Sequence, residues 1–308
     1  MNAAQRRPLP GGRWHFQHGP IDCVIGADGE PAAIARALEA AWARFQGVLT
    51  ELVSELPLLR ANLAAAPDEA VAPHGAVAQR MVAACRPYAR QGIFITAMAA
   101  VAGSVAQELI GHFERPGVRR AYVNNGGDIA LHLTAGESFE IGWVIDPDRP
   151  RAGVDARFRV DAASRVRGVA TSGWRGRSLS LGIADAVTVL ATTAAMADAA
   201  ATLLANVVNA DDPCIARAPA SSVRDDSDLG ELLVTVDVPA LAQEVVAHAL
   251  AAGAACAERE IAAGRVLAAA LCLQGQVRRC RTQVFHPSQL AATGPILDFS
   301  RQPPAVFA

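Results

Sequence analysis

The first clear pattern along the chain is helical, because apolar residues recur every three or four positions over residues 30–56. The repeating positions are Ile34, Leu38, Trp42, Phe45 and Leu49. This spacing predicts an amphipathic helix that ends near Pro57. Alanine and glycine dominate two further predicted helices, 92–113 and 194–208, and such small residues allow backbones to pack closely. A fourth helix is predicted over 239–263.

Short apolar runs bounded by turn residues predict strands between these helices. The runs are residues 21–25, 121–124, 129–133, 139–145, 158–160, 169–171, 186–192 and 232–236. Residues 266–277 fit either a strand or a helix. Residues 58–80, rich in alanine and proline, show no period and are expected to wrap the surface.

The order of these elements bears on fold class and domain organisation. Strands and helices are mixed without regular βαβ alternation, which favours an α+β layered fold over a doubly wound sheet. We see no linker or charged run that divides the chain. One domain is therefore expected over 21–285, flanked by a flexible arm at 1–20 and a weakly structured tail at 286–308.

Composition narrows the function classes. The chain has 308 residues, 52% of them hydrophobic, and a formal net charge of -2. That charge gives no bulk attraction to nucleic acid or to anionic membranes. The best candidate for a membrane span, 92–107, is too short, and no secretory signal is apparent. A soluble, cytoplasmic protein is expected.

Two residue types exclude particular chemistries. All 28 basic Lys+Arg side chains are arginine, so Schiff-base chemistry on lysine and a Walker A lysine are ruled out. Any phosphate would be held by arginine, by backbone N–H groups or by a metal. The six cysteines form no CxxC or Cys/His cluster, which argues against structural zinc and a disulfide framework.

Residues 122–131 read YVNNGGDIAL, in which five turn-forming residues interrupt a strand-like run. Asn-Gly and Gly-Gly are hairpin signals, because type I′ turns need positive φ at both central residues. A second interpretation is a bare backbone that a ligand can approach, with polar side chains that hold the ligand. The residues concerned are Asn124, Asn125, Gly126, Gly127 and Asp128.

The stretch 169–180 is a second candidate ligand segment, because an apolar strand there ends in polar residues. Thr171, Ser172 and Gly173 close the strand, and a polar loop with two arginines and two serines follows. The loop residues singled out are Arg175, Arg177, Ser178 and Ser180. No GxSxG elbow surrounds these serines, so a hydrogen-bonding loop is the alternative to a nucleophile.

Two acidic positions follow this loop. Asp185 precedes a predicted buried strand. Asp198 and Thr202 lie four residues apart in a predicted helix and therefore share one face. A carboxylate and a hydroxyl on one face offer oxygen ligands to a hard cation such as Mg²⁺. The alternative is local, with Thr202 bonded to its own helix and Asp198 as a cap or a solvated side chain.

The succession of motifs resembles the FAD:protein FMN transferase (ApbE-like) superfamily. The motifs are, in order, the small-residue helix AMAAVAGSVAQ, NNGGDIA, ATSG, the strand AVTVLA, and ADAAAT. The similarity runs over roughly residues 21–209. GRSLSLGIADAV and LLANVVN are similar to an uncharacterised ApbE-related branch rather than to the transferases themselves.

This resemblance implies an ApbE-like layered fold of two related halves, with mixed or antiparallel sheets and small-residue helices. It implies a cleft for a flavin dinucleotide, with Mg²⁺ on Asp198 and Thr202 and the Asn125–Asp128 turn as a wall. The superfamily's H-x-I-D-P-x-T-G segment is missing between ATSG and AVTVLA, where only WRGRSLSLGIAD stands.

We therefore expect an ApbE-like enzyme that binds a small anionic or phosphate-bearing ligand, with Mg²⁺ and FAD or FMN as candidate cofactors. Arg175 or Arg177 would neutralise charge on the ligand. Asp185 is the candidate general base, and Ser178 the weaker candidate nucleophile.

Two alternatives stay open: a metal-independent hydrolase or lyase acting on a small carboxylated ring compound, and a non-catalytic flavin or nucleotide carrier. The expected partners are the small-molecule ligand and a second copy in a homodimer, with neither nucleic acid nor membrane.

Overall fold

The computed structural model describes residues 3–65, 72–143 and 156–281, together with 306–307. Its strands are β1 (Gln5–Leu9), β2 (Arg13–His18), β3 (Ile21–Gly29), β4 (Val118–Asn125), β5 (Asp128–Leu133), β6 (Ser138–Trp143), β7 (Ala156–Asp161), β8 (Gly168–Ser172), β9 (Ala186–Ala191), β10 (Ala216–Pro219), β11 (Leu233–Asp237), β12 (Ala268–Leu273), β13 (Gln276–Arg281) and β14 (Val306–Phe307). Within these residues, nine strands form one antiparallel sheet in the order β1-β2-β3-β4-β5-β8-β9-β12-β13. Smaller sheets join β10 to β11, and β6 to β7 and β14. The expected α+β class is confirmed.

The large sheet uses one arrangement twice. In the first half, the hairpin β2–β3 leads through helices to the hairpin β4–β5, and β3 pairs with β4. In the second half, β8–β9 leads through helices to β12–β13, and β9 pairs with β12. The halves meet where β5 pairs with β8. This repetition confirms the two related halves.

The described α-helices are α1 (Pro31–Ser54), α2 (Leu56–Leu59), α3 (Ala76–Ala89), α4 (Val101–Ile110), α5 (Ala194–Val207), α6 (Ala220–Val223) and α7 (Gln243–Ala262). Helices α1, α4, α5 and α7 pack against one face of the large sheet. Helix α1 begins with a proline, which suits the first turn because its missing N–H has no partner there. Of the predicted apolar positions, Phe45 and Leu49 are buried, whereas Ile34, Leu38 and Trp42 are half-buried. The centre of the buried stripe lies one residue earlier, on alanines such as Ala37 and Ala41, because small side chains allow α1 to pack closely. Among the described helices, none combines the length and apolar character needed to cross a bilayer.

Small residues bring α4 and α5 into backbone contact at the junction of the two halves. A Cβ on Gly103 would lie 2.3 Å from the Ala194 carbonyl oxygen. A Cβ on Gly168 would lie 2.2 Å from the Thr193 carbonyl oxygen at the start of α5. Because these approaches leave no room for a side chain, Gly103 fixes how closely the two halves meet, and Gly168 fixes how closely β8 approaches the start of α5 within the second half.

The second face of the sheet is covered by β6 and β7. Phe139, Ile141, Phe158 and Val160 from these strands are buried against apolar side chains of the sheet, among them Tyr122, Ile129, Leu131, Val169 and Leu190. Successive side chains of a strand point to opposite faces of the sheet. The sheet side chains that face the helices therefore lie in a different layer from the apolar core under β6 and β7.

The N-terminal residues correct one expectation. Residues 1–20 were expected to form a flexible arm, but β1 and β2 pair and extend the sheet beyond β3. Phe16 is fully buried, with ring centroids 5.1 Å from Trp42 and 5.4 Å from Phe45. In the Pro/Gly-rich stretch at 8–12, Pro8 and Leu9 end β1, and residues 10–12 connect it to β2.

Three other expectations are settled or fall outside the described residues. The stretch 58–80 was expected to wrap the surface because it shows no period, but α3 begins within it at Ala76. Most of the buried apolar residues of that helix lie beyond residue 80. Residues 266–277 belong to the β12–β13 hairpin, which resolves the ambiguity in favour of strands. The expected tail, 286–308, lies outside the described residues except for β14. The single-domain boundaries remain a prediction.

Candidate functional site

The β4–β5 turn is a hairpin that aims two polar side chains at the helices. Gly126 and Gly127 have φ of 68° and 113°, so the turn requires residues that tolerate positive φ. Asn125 and Asp128 pair across it and are buried. Asn124 has a local role, because its Oδ1 accepts the Gly127 N–H at 2.8 Å.

Asn125 ties this turn to α4. Its Nδ2 donates to the Ala102 carbonyl oxygen at 3.1 Å, and its Oδ1 accepts the Asp22 N–H at 3.3 Å. Both ends of the amide are thus used, and the position of the turn relative to the first turn of α4 is set.

Asp198 lies on α5 but caps α4. Its Oδ2 accepts the Gly103 N–H at 2.9 Å, and the Ala102 N–H also bonds to this carboxylate. The residue at the N-cap of α4 is Ala100, whose side chain cannot accept a hydrogen bond. Asp198 therefore satisfies N–H groups that α4 leaves open at its N-terminus.

Asp128 and Asp198 form an electrostatically linked pair. Burial raises the pKa of Asp128 to about 7, although the Thr171 N–H, 3.3 Å from Oδ1, and the Arg177 charge oppose the rise. Burial and the neighbouring Asp128 carboxylate raise the pKa of Asp198 well above its usual range, against the N–H bonds from α4. Two carboxylates in one desolvated site disfavour each other's ionisation.

The loop between β8 and β9 brings an arginine over the glycines of the turn. A Cβ on Gly126 would lie 2.2 Å from Arg177 Nη2, so the guanidinium occupies the space above this residue. The side chain of Arg177 is exposed, and its carbonyl oxygen accepts Arg224 Nη2 at 2.7 Å. The site thus combines a buried acid pair with an exposed arginine.

Asp185 anchors the same loop. Its Oδ1 accepts Arg175 Nε at 2.9 Å and Trp174 Nε1 at 3.2 Å, and its Oδ2 accepts the Gln274 N–H at 2.5 Å. The residue is buried. Three donors on a buried carboxylate hold the loop against the β12–β13 turn.

The other sequence-predicted residues differ in their access to the site. Ser178 is exposed, whereas Ser180 is buried, with Oγ 3.3 Å from Asn206 Oδ1 and accepting the Gly182 N–H at 3.2 Å. Thr171 Oγ1 lies 2.7 Å from Thr188 Oγ1, so its hydroxyl joins β8 to β9. Ser172 is half-buried.

Gly173 and Thr202 complete the predicted set. A Cβ on Gly173 would lie 2.4 Å from the Asp185 carbonyl oxygen, which explains the glycine at this pinch of the loop. Thr202 is half-buried one helical turn after Asp198. Over the residues that the structure describes, no group of three or more His, Cys, Asp or Glu side chains is placed to hold a metal.

Sequence reasoning missed the contributions of Ala102, Gly103 and Gln274. All three act through backbone N–H groups, which carry no residue-type signal. The predicted helix began at residue 92, whereas α4 begins at Val101 with Ala100 at its N-cap, so the need for a capping carboxylate could not be read from the sequence.

Comparison with known proteins gives a family match over most of the chain. The family model described as "AbpE bacteria" matches residues 6–279. The resemblance inferred from the sequence is thereby confirmed.

Curated relatives share part of their length with this chain. The UPF0280 protein of Methanopyrus kandleri is 39% identical over 163 residues, which are 52% of this chain and 61% of that protein. The UPF0280 protein of Methanothermobacter thermautotrophicus is 39% identical over 127 residues, or 37% and 43% of the two chains. The match therefore spans roughly half the length of these relatives.

Solved structures resemble the chain at lower identity. The Pseudomonas stutzeri flavinyl transferase ApbE, in its apo form, is 16% identical with a TM-score of 0.44, over 94% of this chain and 97% of that one. The apbe protein of Thermotoga maritima is 13% identical with a TM-score of 0.45, over 94% and 100%.

Proposed function

This chain belongs to the family described as "AbpE bacteria", and on that premise we propose that it binds a small phosphate-bearing ligand of the flavin-nucleotide class. The site is the space between the β4–β5 turn and the β8–β9 loop. The choice of a flavin rests on the order of sequence motifs. The choice of an anion rests on the geometry of the site.

The observation that carries the proposal is the arginine above the turn. Arg177 is exposed and its guanidinium covers Gly126, where it would present its donor fork to an incoming anion. A guanidinium fork matches the oxygens of phosphate or carboxylate. Because Gly126 has no side chain, the guanidinium can lie directly over the turn.

The acid pair suits a hard cation as the second component. Asp128 and Asp198 are buried with raised pKa values, and a divalent cation would offset their mutual repulsion. Asp198 and Thr202 would hold the ion, since a carboxylate that accepts N–H bonds keeps further lone pairs. Mg²⁺ needs few protein ligands when water and phosphate complete its shell, and it would supply neutralisation of phosphate charge.

The residues in the loop would divide their roles. Arg177 would neutralise the ligand. Asp185, with three donors on its carboxylate, would orient the loop rather than take a proton from the ligand. Ser178 is exposed and remains the candidate nucleophile.

The metal-independent hydrolase or lyase needs a free base. Since Asp185 is committed to loop contacts, Asp128 would fill that role. Activity that persists in a chelator would favour this second function.

The test is thermal stability of the purified chain with FAD, FMN, AMP and small carboxylates, each with Mg²⁺ and with a chelator. Ligand at about a hundred times its dissociation constant should add roughly 2.7 kcal/mol. Asp198→Asn should abolish the Mg²⁺-dependent part, and Asp237→Asn, at an exposed carboxylate, should not. If Asp198→Asn keeps the full Mg²⁺-dependent shift, the metal assignment is wrong; if no phosphate ligand shifts the wild type, the ligand assignment is wrong.

A further inference from the structure

We propose that residues 224–232, the strap between α6 and β11, tie the loop that carries Arg177 to the first half of the fold and so position Arg177 for its ligand. Arg224 is the positioning residue on the loop, and Asp228 is the anchor on the first half. The inference rests on the proposed function only for the anion that Arg177 meets.

The strap begins on the loop between β8 and β9. Arg224 Nη2 donates to the Arg177 carbonyl oxygen at 2.7 Å, so it holds the backbone from which the Arg177 side chain reaches Gly126. The strand after the strap contacts the same loop, because the Thr235 N–H donates to the Ser180 carbonyl oxygen at 2.8 Å. Both ends of the strap are therefore fixed to the second half.

The middle of the strap reaches the first half at Thr96. The Thr96 hydroxyl donates to Asp228 Oδ2, 132 positions away in the sequence, and Thr96 is buried. Thr96 is the N-cap of a short 3-10 helix, Ala97–Ala100, but its side chain caps no local N–H, as threonine at this position usually does. Because α4 follows at Val101, the anchor lies on the segment that leads into the N-terminus of α4.

The contacts between the strap and the first half differ in strength. A hydrogen bond to an ionised acceptor is roughly twice as strong as one between neutral groups, and in the bond from Thr96 to Asp228 the donor is buried. The Asp226 carboxylate lies 3.6 Å from Arg60 Nη2, but its side chain is 74% exposed. Exposed ion pairs of this kind contribute little, so Asp228 is the anchor that matters.

A turn inside the strap connects the anchor to the positioning residue. The Ser227 N–H donates to the Arg224 carbonyl oxygen at 3.1 Å, and the Leu229 N–H donates to Ser227 Oγ at 3.2 Å. These bonds restrict how far Arg224 can move while Asp228 is held. Loss of the anchor therefore loosens Arg224 and, through it, the backbone of Arg177.

Hydrogen exchange of the ligand-free full chain tests this coupling without any ligand. Thr96→Val removes the hydroxyl at nearly constant volume and charge, and Thr96→Ser restores it. Thr96→Val should speed exchange in residues 174–181 about tenfold, the low end of the effect of one lost hydrogen bond to a charged group, and Thr96→Ser should not. Glu231→Gln is the matched control, because this exposed carboxylate bonds only locally to Ser221 among the described contacts, and exchange in 174–181 should stay unchanged.

Calorimetric titration with inorganic pyrophosphate then tests whether the strap serves the site. Thr96→Val should weaken pyrophosphate binding about fivefold, the low end of a typical coupling between separate sites, whereas Thr96→Ser and Glu231→Gln should bind it like the wild type. Because Thr96→Val changes no charge, such a loss cannot come from direct repulsion of the anion.

Each outcome decides a separate point. Faster exchange confined to residues 94–100 and 224–232 in Thr96→Val would overturn the strap, as would equal effects of the valine and serine variants. Unchanged pyrophosphate affinity despite faster exchange in 174–181 would overturn the positioning role. Faster exchange there, without any pyrophosphate binding by the wild type, would support the coupling and overturn the phosphate ligand. Should Thr96→Val fail to fold, Asp228→Asn and Asp228→Ala replace it: the amide oxygen still accepts the hydroxyl, so only the alanine variant should loosen the loop.

Discussion

The two halves of the sheet use their hairpin connections differently. In the first half, β2–β3 closes with a short turn at Gly19 and Pro20, and the chemistry lies in the second connection, between Asn125 and Asp128. In the second half the order is reversed: the long loop between β8 and β9 carries the arginines, and β12–β13 closes with Gln274 and Gly275. The candidate site thus takes one connection from each half.

The remaining two connections support the structure. Gln274 has a φ of 47°, and its side chain donates to the Pro239 carbonyl oxygen at 2.6 Å and accepts the Leu241 N–H at 3.0 Å. Its own N–H holds Asp185. Each half of the repeated fold therefore contributes one hairpin connection to the candidate site. The other connection of each half is short and stabilises the structure.

The largest expected effect comes from separating the halves. Gly103→Ala would place a Cβ 2.3 Å from the Ala194 carbonyl oxygen, so α4 and α5 must move apart. We expect the free energy of unfolding to fall by about 3 kcal/mol, in the upper part of the range for overpacked cores. Gly111→Ala, at the end of the same helix with open space around it, should be neutral. Urea denaturation of both variants checks this; equal stabilities would mean that the junction tolerates expansion.

Two aspartates, one from each half's site connection, should respond oppositely to the same change. Asp185→Asn places an amide NH₂ group against one of the three N–H donors that Asp185 accepts. We expect the free energy of unfolding to fall by about 2 kcal/mol, which is typical of a lost hydrogen bond to a charged group. Asp128→Asn removes a desolvated charge beside Asp198, and its oxygen still accepts the Thr171 N–H. Its stability without Mg²⁺ should equal or exceed that of the wild type. A comparable loss in both variants, measured by denaturation in a chelator, would contradict this division.

The elements with a strong periodic pattern could be predicted from the sequence, and so could the residues of the site turn. The three-and-four spacing predicted α1, and Asn-Gly-Gly-Asp predicted the β4–β5 hairpin turn. That the polar side chains of this turn hold a ligand stays a prediction. The N-terminal hairpin was missed because Pro8–Gly12 reads as a flexible segment. Only the burial of Phe16 against Trp42 and Phe45, a long-range contact, shows that it is fixed.

The environment of the site residues could not be predicted, because it is set by packing between distant segments. Asp198 was expected to share a helix face with Thr202, but nothing in the sequence reveals that its carboxylate meets the N–H of Gly103, 95 positions away. Asp185 was expected to be a base, and its three donors come from a loop and from a turn near the C-terminal end of the sheet.

Gly126 in the β4–β5 turn and Gly275 in the β12–β13 turn occupy corresponding hairpins and allow a matched comparison. Gly126→Ala and Gly275→Ala both place a side chain at positive φ, 68° and 79°, which should cost about 1 kcal/mol each. Only the first would displace a side chain, since its Cβ would lie 2.2 Å from Arg177 Nη2 while Gly275 has open space. We expect the two melting temperatures to fall equally and phosphate-ligand affinity to fall only in Gly126→Ala. If both variants bind the phosphate ligand equally well, Arg177 does not contact the ligand.

The smallest expected effect concerns how each half holds its helices. Helix α5 in the second half packs through buried alanines, whereas in the first half Glu108 accepts Arg44 Nε at 2.6 Å and Arg80 Nη1 at 2.9 Å. Burial tends to raise the pKa of Glu108, but the bonds and charges of the two arginines prevail and lower it from 4.5.

A lowered pKa in the folded state stabilises the fold above the unfolded value of 4.5, and this contribution is lost as the pH falls through the lowered value. Because the cluster is partly solvated, Glu108→Gln should cost less than about 1 kcal/mol at neutral pH. The difference in free energy of unfolding between Glu108→Gln and the wild type should narrow below pH 4.5 and in high salt. Glu39→Gln, where the side chain is 65% exposed and pairs with Arg6, should show no gap at any pH. A gap for Glu108→Gln that stays constant in acid would mean that shape, and not charge, is what this glutamate contributes to the helix layer.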